Sequence, residues 1–331
     1  MKIKLFGSVL LATLLISNTS FAFEHAKVVG TEECGECHED EVTVWKETHH
    51  YKSFYELSRS DEGRKIAEKM GISRIKKDSD CLSCHFMQAE TDGKLEPISG
   101  IACESCHAPA KDWVETHNDY GGKDVKKEQE TPEHKAKRIA DMEQAGMIRP
   151  TNLYALANNC YQCHLVPNEK LVNVGGHTAG SKFELVSWSH GEIRHNFFRS
   201  ESGKDNIESS LPRKRMMFVM GRVLELEHSL RGVAKATQKA SYAVKMAKRA
   251  QVAIAWLKKI NGLVKLPEVD NMLKIAGSVK LKLNNADALN AAADKVAKEA
   301  QQLASNNDGE ALSALDELLP SAEKYKGSPA K

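Results

Sequence analysis

The feature that most constrains this chain is a five-residue unit, Cys-x-x-Cys-His, which occurs four times. Two cysteines separated by two residues and followed at once by a histidine form the attachment pattern of a c-type haem. The thiols bond covalently to the porphyrin, and the histidine binds the iron from one face. The four units use all eight cysteines, so the pattern predicts four covalently bound haem c groups. The predicted attachment residues are Cys34, Cys37, Cys81, Cys84, Cys103, Cys106, Cys160 and Cys163, and the predicted proximal iron ligands are His38, His85, His107 and His164.

Paired cysteines have two other common uses. Two Cys-x-x-Cys pairs can bind one zinc ion, but zinc gives no reason for a histidine directly after every second cysteine. Cysteines in an exported chain can also form disulfides, but closing each pair on itself would make only small loops that stabilise little. The repeated histidine therefore favours haem attachment.

The first residues have the pattern of a secretory signal peptide. Two lysines precede an apolar run over residues 5–16, and Ser20-Phe21-Ala22 is a small-x-small cleavage signal. The apolar run is shorter than the about 20 residues that a membrane-spanning helix needs. No later stretch is long and apolar enough to span a bilayer. We therefore expect residues 1–22 to be removed and the product to be exported to a bacterial periplasm, with no transmembrane segment.

The sequence changes in character near residue 205. Residues 23–205 contain every cysteine and all histidines except His228. Aromatic residues make up only 6% of the sequence and charged residues 28%, so haems would have to supply much of the core of this part. We predict a tetrahaem cytochrome c domain over residues 23–205 and a haem-free helical extension over residues 206–331. The expected fold class is mainly α, with little regular sheet and a C-terminal hairpin or bundle of long helices.

Apolar residues in the second half recur at spacings of three and four, which indicates an amphipathic helix. The pattern predicts one long helix, or one with a weak point at Gly232, and two further helical segments over about 286–304 and 309–324. A stripe sustained over several heptads requires an apolar partner, and we expect either the later segments or a second copy of the chain to supply it. The stripe consists of Met216, Val219, Val223, Leu226, Leu230, Val233, Ala240, Val244, Ala247 and Ile254.

The same region is basic. Between Arg213 and Lys259 there are twelve lysines and arginines against two acids, Glu225 and Glu227. The periplasmic location argues against nucleic acid as a partner. Three explanations remain open: a solvated helix face, docking to an acidic partner, and compensation of the negative haem propionates.

The thirteen histidines include four proximal ligands, and nine others remain. A haem with a histidine on each face is closed to small molecules and suits electron transfer, whereas a haem with one open face can bind a ligand. The function therefore depends on how many of the nine reach an iron.

The chain resembles the cytochrome c-554 family of tetrahaem electron carriers, which is related in fold to the octahaem hydroxylamine oxidoreductases. The resemblance covers roughly residues 30–165 and rests on two stretches and on the spacing of the four attachment units. One stretch is the first unit followed by Trp45-Lys46-Glu47-Thr48-His49-His50. The other is Gly100-Ile101-Ala102-Cys103-Glu104-Ser105-Cys106-His107-Ala108-Pro109, with His117 ten residues beyond His107.

The resemblance implies particular second ligands. Haem 1 would have His38 and His117, and haem 3 would have His107 and His50. The haem of His85 would be five-coordinate, as in family members. The family's second ligand for the fourth haem has no counterpart that aligns here, and the local candidates are His177, His190 and His195.

These observations predict a periplasmic electron carrier that passes electrons between redox partner proteins, a donor and an acceptor, through closely spaced and mostly bis-histidine haems. The alternative is an enzyme that reduces a small nitrogen or sulfur oxyanion, or nitric oxide, at a five-coordinate haem bound by His85. The C-terminal helices could dock a redox partner or form a homo-oligomer.

Overall fold

The computed structural model of the protein describes residues 23–77 and 79–329. The predicted signal peptide lies outside these residues. Within them the chain is mainly helical and contains one antiparallel pair of strands, which confirms the predicted fold class.

The α-helices before residue 205 have at most 13 residues, whereas three of the four C-terminal α-helices have 21–25 residues. The short helices are α1 (Thr31–Gly35), α2 (Glu39–Glu47), α3 (His49–Glu56), α4 (Asp61–Met70), α5 (Leu82–His85), α6 (Cys103–His107), α7 (Pro132–Gln144), α8 (Leu153–His164), α9 (Glu169–Asn173) and α10 (Leu185–Ser189). The C-terminal ones are α11 (Leu211–Lys235), α12 (Ser241–Val264), α13 (Pro267–Gly277) and α14 (Ala286–Asn306). Turns of 3-10 helix occupy His25–Lys27, Leu57–Arg59, Lys127–Gln129, Phe197–Arg199, Glu310–Leu318 and Ala322–Lys324.

Local sequence explains several of these boundaries. Ser60, Thr131 and Ser210 each cap a helix by accepting a hydrogen bond from a backbone N–H of its first turn. The strands β1 (Met87–Thr91) and β2 (Lys94–Ser99) form a hairpin around Asp92-Gly93. Both turn residues have positive φ, as a tight two-residue hairpin turn requires.

The second half does not begin with one long helix. α11 ends at Lys235, and α12 starts at Ser241 and runs back along α11, as the pairs Glu225–Arg249 and Phe218–Trp256 show. The break therefore lies after Gly232, which remains helical. A Cβ on Gly232 would lie 2.8 Å from the Met246 side chain, so this glycine permits close approach of the two helices.

The side chain of Glu169, in α9, stabilises the break between α11 and α12. The backbone N–H and the hydroxyl of Thr237 both donate to the Glu169 carboxylate, at 2.9 and 2.7 Å. The break also resets the helical phase, so the stripe does not continue in register through α12. Val244 is 55% exposed, whereas Tyr242 and Met246 are buried. The prediction for Val244 was therefore wrong.

The two later helical segments that the sequence predicts differ in how well they match the structure. α14 confirms the predicted helix over about 286–304. The segment predicted over about 309–324 consists instead of two 3-10 turns. α13 was not predicted, although Pro267 at its first position and the buried Val269, Met272 and Ala276 are typical of a short amphipathic helix.

A single apolar core joins α8, α9 and α10 to the C-terminal helices. The α11 positions of the stripe, Met216 to Val233, are all buried, and α8, α12 and α14 pack against α11. The apolar partner that the stripe requires is therefore supplied within the chain. The division near residue 205 remains a prediction, since the core extends across it. In the described part of the chain, no helix is long and apolar enough to cross a membrane.

Two leucines of α12 test this packing. Leu257 is 0% exposed and Leu263 is 48% exposed. We expect Leu257→Ala to lower the free energy of unfolding by about 2–5 kcal/mol, because it leaves a cavity in the core. Leu263→Ala should change it by no more than about 0.5 kcal/mol. Denaturant unfolding followed by helical circular dichroism measures both, and equal losses would contradict the assigned register.

Candidate haem sites

Each Cys-x-x-Cys-His unit lies in or beside a short helix. Cys34 is in α1, and the other three units fall at α5, α6 and the end of α8. Residues three apart lie on the same side of a helix, so one helical turn brings both thiols of a unit to one face. All eight cysteines are free thiols.

The structure pairs every proximal histidine with one other histidine. If two imidazoles bind one metal through bonds of about 2 Å, the added distance from each nitrogen to its ring centre gives a centroid separation of about 6 Å. We call the pairs sites 1 to 4. The separations are 6.3 Å for His38 with His117 (site 1), 6.5 Å for His85 with His177 (site 2), 6.4 Å for His107 with His195 (site 3) and 6.2 Å for His164 with His50 (site 4).

Hydrogen bonds at Nδ1 fix the orientation of most of these rings. When Nδ1–H donates to a protein oxygen, Nε2 is left as the metal-binding nitrogen. The acceptors are the carbonyl oxygens of Val114 for His117, of Ile148 for His107, of Thr178 for His177 and of Ile193 for His195, and the Ser181 hydroxyl for His164.

Burial favours the neutral form of the buried rings, and neutral imidazole is the form that binds a metal. Burial lowers the pKa of His85 and of His164 to about 4. It also lowers the pKa of His50, His107 and His117. His38 differs, because Glu41 beside it raises the pKa of its ring.

The second histidines agree only in part with the sequence analysis. His117 lies opposite His38, as the family resemblance implied. His50 lies opposite His164 rather than His107. α3 is tied to two segments: the Ser53 hydroxyl lies 3.0 Å from the His85 carbonyl oxygen, and the Ile101 N–H donates to the His50 carbonyl at 3.1 Å.

The two loop histidines were considered for the fourth haem, and the structure places both elsewhere. His177 faces His85, and His195 faces His107. An imidazole, that of His177, therefore lies beside the ring of His85, where the resemblance implied an open haem face. The third candidate, His190, is buried away from the other pairs, where it bonds the Val186 carbonyl and accepts from the Ser209 N–H.

The remaining histidines have other partners. His49 is on the surface and bonds the Glu192 carboxylate at 2.7 Å, as expected for a residue that cannot share a haem with its neighbour. His228 bonds Asn158 and stacks on Tyr161.

Sequence analysis missed the role of Glu104, which lies between the two cysteines of the third unit. Its carboxylate is 1% exposed and accepts backbone N–H bonds from Val29, Gly30 and Ala110 at 2.8–3.0 Å. This acid joins the segment before site 1 to the segment after site 3. An acid inside an attachment unit was visible in the sequence, but its distant partners were not.

The sites are close to one another. The Glu104 carboxylate, in the unit of site 3, accepts from the backbone N–H groups of Val29 and Gly30, just before the unit of site 1, and the Cys163 thiol of site 4 lies 3.8 Å from the Ser83 carbonyl oxygen in the unit of site 2. Site 1 therefore adjoins site 3, and site 2 adjoins site 4. The Asn159 amide donates to the Cys106 carbonyl at 2.9 Å, which brings the attachment units of sites 3 and 4 together.

The residues present fit covalently attached haem. The free thiols and paired imidazoles supply its attachment and axial groups. In the described residues, no cluster of three or more His, Cys, Asp or Glu side chains is suited to a separate metal ion. Arg199 acts on the His107 ring of site 3, and burial, with the charge of Arg199, lowers the pKa of Arg213 to about 10. Two such guanidinium groups suit carboxylates such as haem propionates.

This fold and these sites define a c-type cytochrome. The family model "Cytochrome c554 and c-prime" matches residues 33–108, which include the first three attachment units. Cytochrome c-554 of Nitrosomonas europaea is 27% identical over 159 residues, 46% of this chain and 63% of the relative. The chain thus matches less than two thirds of that relative's length. No significant match to a solved structure was found. Both matches confirm that the haem-binding part of the chain resembles the cytochrome c-554 family.

Gly100 provides a test of the position of His50. A Cβ at Gly100 would lie 2.0 Å from the His50 carbonyl oxygen, which also accepts the Ile101 N–H. We expect Gly100→Ala to displace His50 and to convert one haem of the loaded protein from low to high spin, as measured by its absorption spectrum. Gly262→Ala is the control, because nothing lies within 4 Å of its Cβ. An unchanged spectrum in Gly100→Ala would contradict the placement of His50.

Proposed function

We propose that this protein is a periplasmic electron carrier that holds four covalently bound haem c groups, each between two histidines. The observation that supports this most is the set of four histidine pairs, all with ring centroids 6.2–6.5 Å apart. The thiol pairs would attach the haems, and the eight paired histidines would be the axial ligands. When bound, haem supplies a one-electron cycle between ferric and ferrous iron.

The role of the chain in this function is to keep the axial positions filled. The Nδ1 hydrogen bonds hold the rings in fixed orientations, so that little reorganisation accompanies a change in iron charge. A histidine on both faces leaves no position for a substrate. This arrangement suits a carrier better than an enzyme.

The alternative was a reductase at the haem of His85. His177 lies opposite His85, with its Nδ1 bonded to the Thr178 carbonyl at 2.9 Å. A ligand could reach that iron only after this imidazole moved away. The placement of His177 therefore favours the carrier.

The order of the sites supports a path for electrons. Glu104 links the segments of sites 1 and 3, the Cys163 thiol of site 4 lies beside Ser83 of site 2, and Asn159 brings the units of sites 3 and 4 together. The sites can thus be connected in the order 1, 3, 4, 2. Such a row has two ends, which suits a protein that exchanges electrons with a donor and an acceptor.

The location and the partners are also proposals. The predicted signal peptide over residues 1–22 and the attachment of c-type haem support export to the periplasm. The donor and acceptor cannot be transferred from the relative, since the match covers 63% of its length.

A histidine substitution tests the carrier against the reductase. The loaded wild-type protein should carry four haems by mass and should not bind carbon monoxide in its reduced form. His177→Ala should retain four haems, convert one of them to high spin and gain one carbon monoxide site, because it opens one face at site 2. Absorption spectroscopy with carbon monoxide measures this change.

His49→Ala is the matched control, because the His49 ring is on the surface, where it bonds the Glu192 carboxylate. It should leave the spectrum unchanged. Binding of carbon monoxide by one haem of the wild-type protein would contradict the carrier and favour the reductase.

A further inference from the structure

The haem-free C-terminal helices reach the proximal ligand of site 4 through a short segment, Gly180-Ser181. The Ser181 hydroxyl lies 3.2 Å from Nδ1 of His164, and the Ser181 N–H donates to the His164 carbonyl at 2.9 Å. Ser181 therefore bonds both the ring and the backbone of this ligand. The Ser181 carbonyl in turn accepts a hydrogen bond from Nη1 of Arg249, in α12, at 3.0 Å.

Arg249 is itself held in place by an acid of α11. Its Nε lies 2.7 Å from one oxygen of Glu225, and its Nη2 donates to the other at 3.2 Å. The two side chains are only 19% and 12% exposed. The Nη2 hydrogen bond to Glu225 and the Nη1 hydrogen bond to Ser181 hold the guanidinium at two points, which fixes its orientation as well as its position.

The geometry leaves no room for another residue at position 180. Gly180 has φ +82°, a conformation that favours glycine. A Cβ there would lie 2.9 Å from Nη1 of Arg249 and 3.2 Å from the His164 carbonyl oxygen. The segment is thus packed tightly between α12 and the ligand.

We propose that Arg249 is a positioning residue for site 4. Together with Glu225, it holds Gly180-Ser181 against His164 and so fixes the orientation of the imidazole and its Nδ1 hydrogen bond. This gives the helical extension a role in electron transfer: it sets the reduction potential of one haem. The inference rests on the proposed function, since it requires a haem at site 4.

The direction of the effect follows from charge. A nearby cation favours the reduced iron, which carries one positive charge fewer, and a nearby anion favours the oxidised iron. Arg249→Met removes the cation between Glu225 and Ser181, so it should lower the potential of site 4. Glu225→Gln removes the anion and should raise that potential. Opposite shifts from the two partners of one ion pair would not result from a general loss of stability.

The experiment is a spectroscopic redox titration of the full-length, haem-loaded protein. The step that belongs to site 4 is identified by its change in His50→Ala. In Arg249→Met we expect this step alone to shift downward by at least a tenfold change in the reduced-to-oxidised ratio at a fixed potential, about 59 mV for one electron. Arg231→Met is the control, because Arg231 forms a similar ion pair with Glu227 in α11 but bonds Asp294 rather than a residue at a haem ligand.

Two further variants keep the test decisive if Arg249→Met does not fold. Arg249→Lys retains the charge and loses the two-point geometry, and should shift the same step by less. Ser181→Ala removes the Nδ1 partner of His164 and should also move only that step. No shift in any of these variants, or an equal shift of all four steps, would overturn the proposal. A haem with an open face in the wild-type protein would instead contradict the proposed carrier function and leave the effect of Arg249 measurable.

Discussion

The separation between paired imidazoles is the constraint on which this structure depends. Two rings can bind one iron only if their centres lie about 6 Å apart, and this condition recurs in four places that involve distant parts of the chain. Small polar contacts maintain it. Ser53 holds α3 and α5 together, Glu104 bonds three backbone N–H groups near sites 1 and 3, and Ser181 orients His164. The short helices of the first part therefore serve mainly to position ligands.

The C-terminal helices share a core with the first part of the chain and also contact the segment that bonds His164. They share one apolar core with α8, α9 and α10, and α8 ends at the proximal ligand His164. The Glu225–Arg249 pair extends from this core to the segment that bonds the same ligand. The match to the relative covers 46% of this chain. We infer that this protein uses its helical extension to support and adjust one site of a shared cytochrome framework.

The sequence was a better guide to which residues lie at the sites than to which histidines face each other. Repeated cysteine and histidine residues predict the attachment units, because the covalent chemistry of haem c fixes their spacing. The partner of His50 could not be predicted, because it depends on contacts between distant segments, such as that of Ser53 with His85 and that of Ile101 with His50. The break after Lys235 was missed for a similar reason: no glycine or proline marks residues 236–240, and the bonds from Thr237 to Glu169 bridge 68 positions of the chain.

The central claim is that all four irons would have histidine on both faces. Electron paramagnetic resonance of the fully oxidised, haem-loaded protein tests it most directly, because it distinguishes low-spin from high-spin ferric haem at each site. The account predicts four low-spin haems and no high-spin signal. A high-spin signal that integrates to one haem in four would contradict it, and would show that at least one of the histidine pairs does not close around its iron.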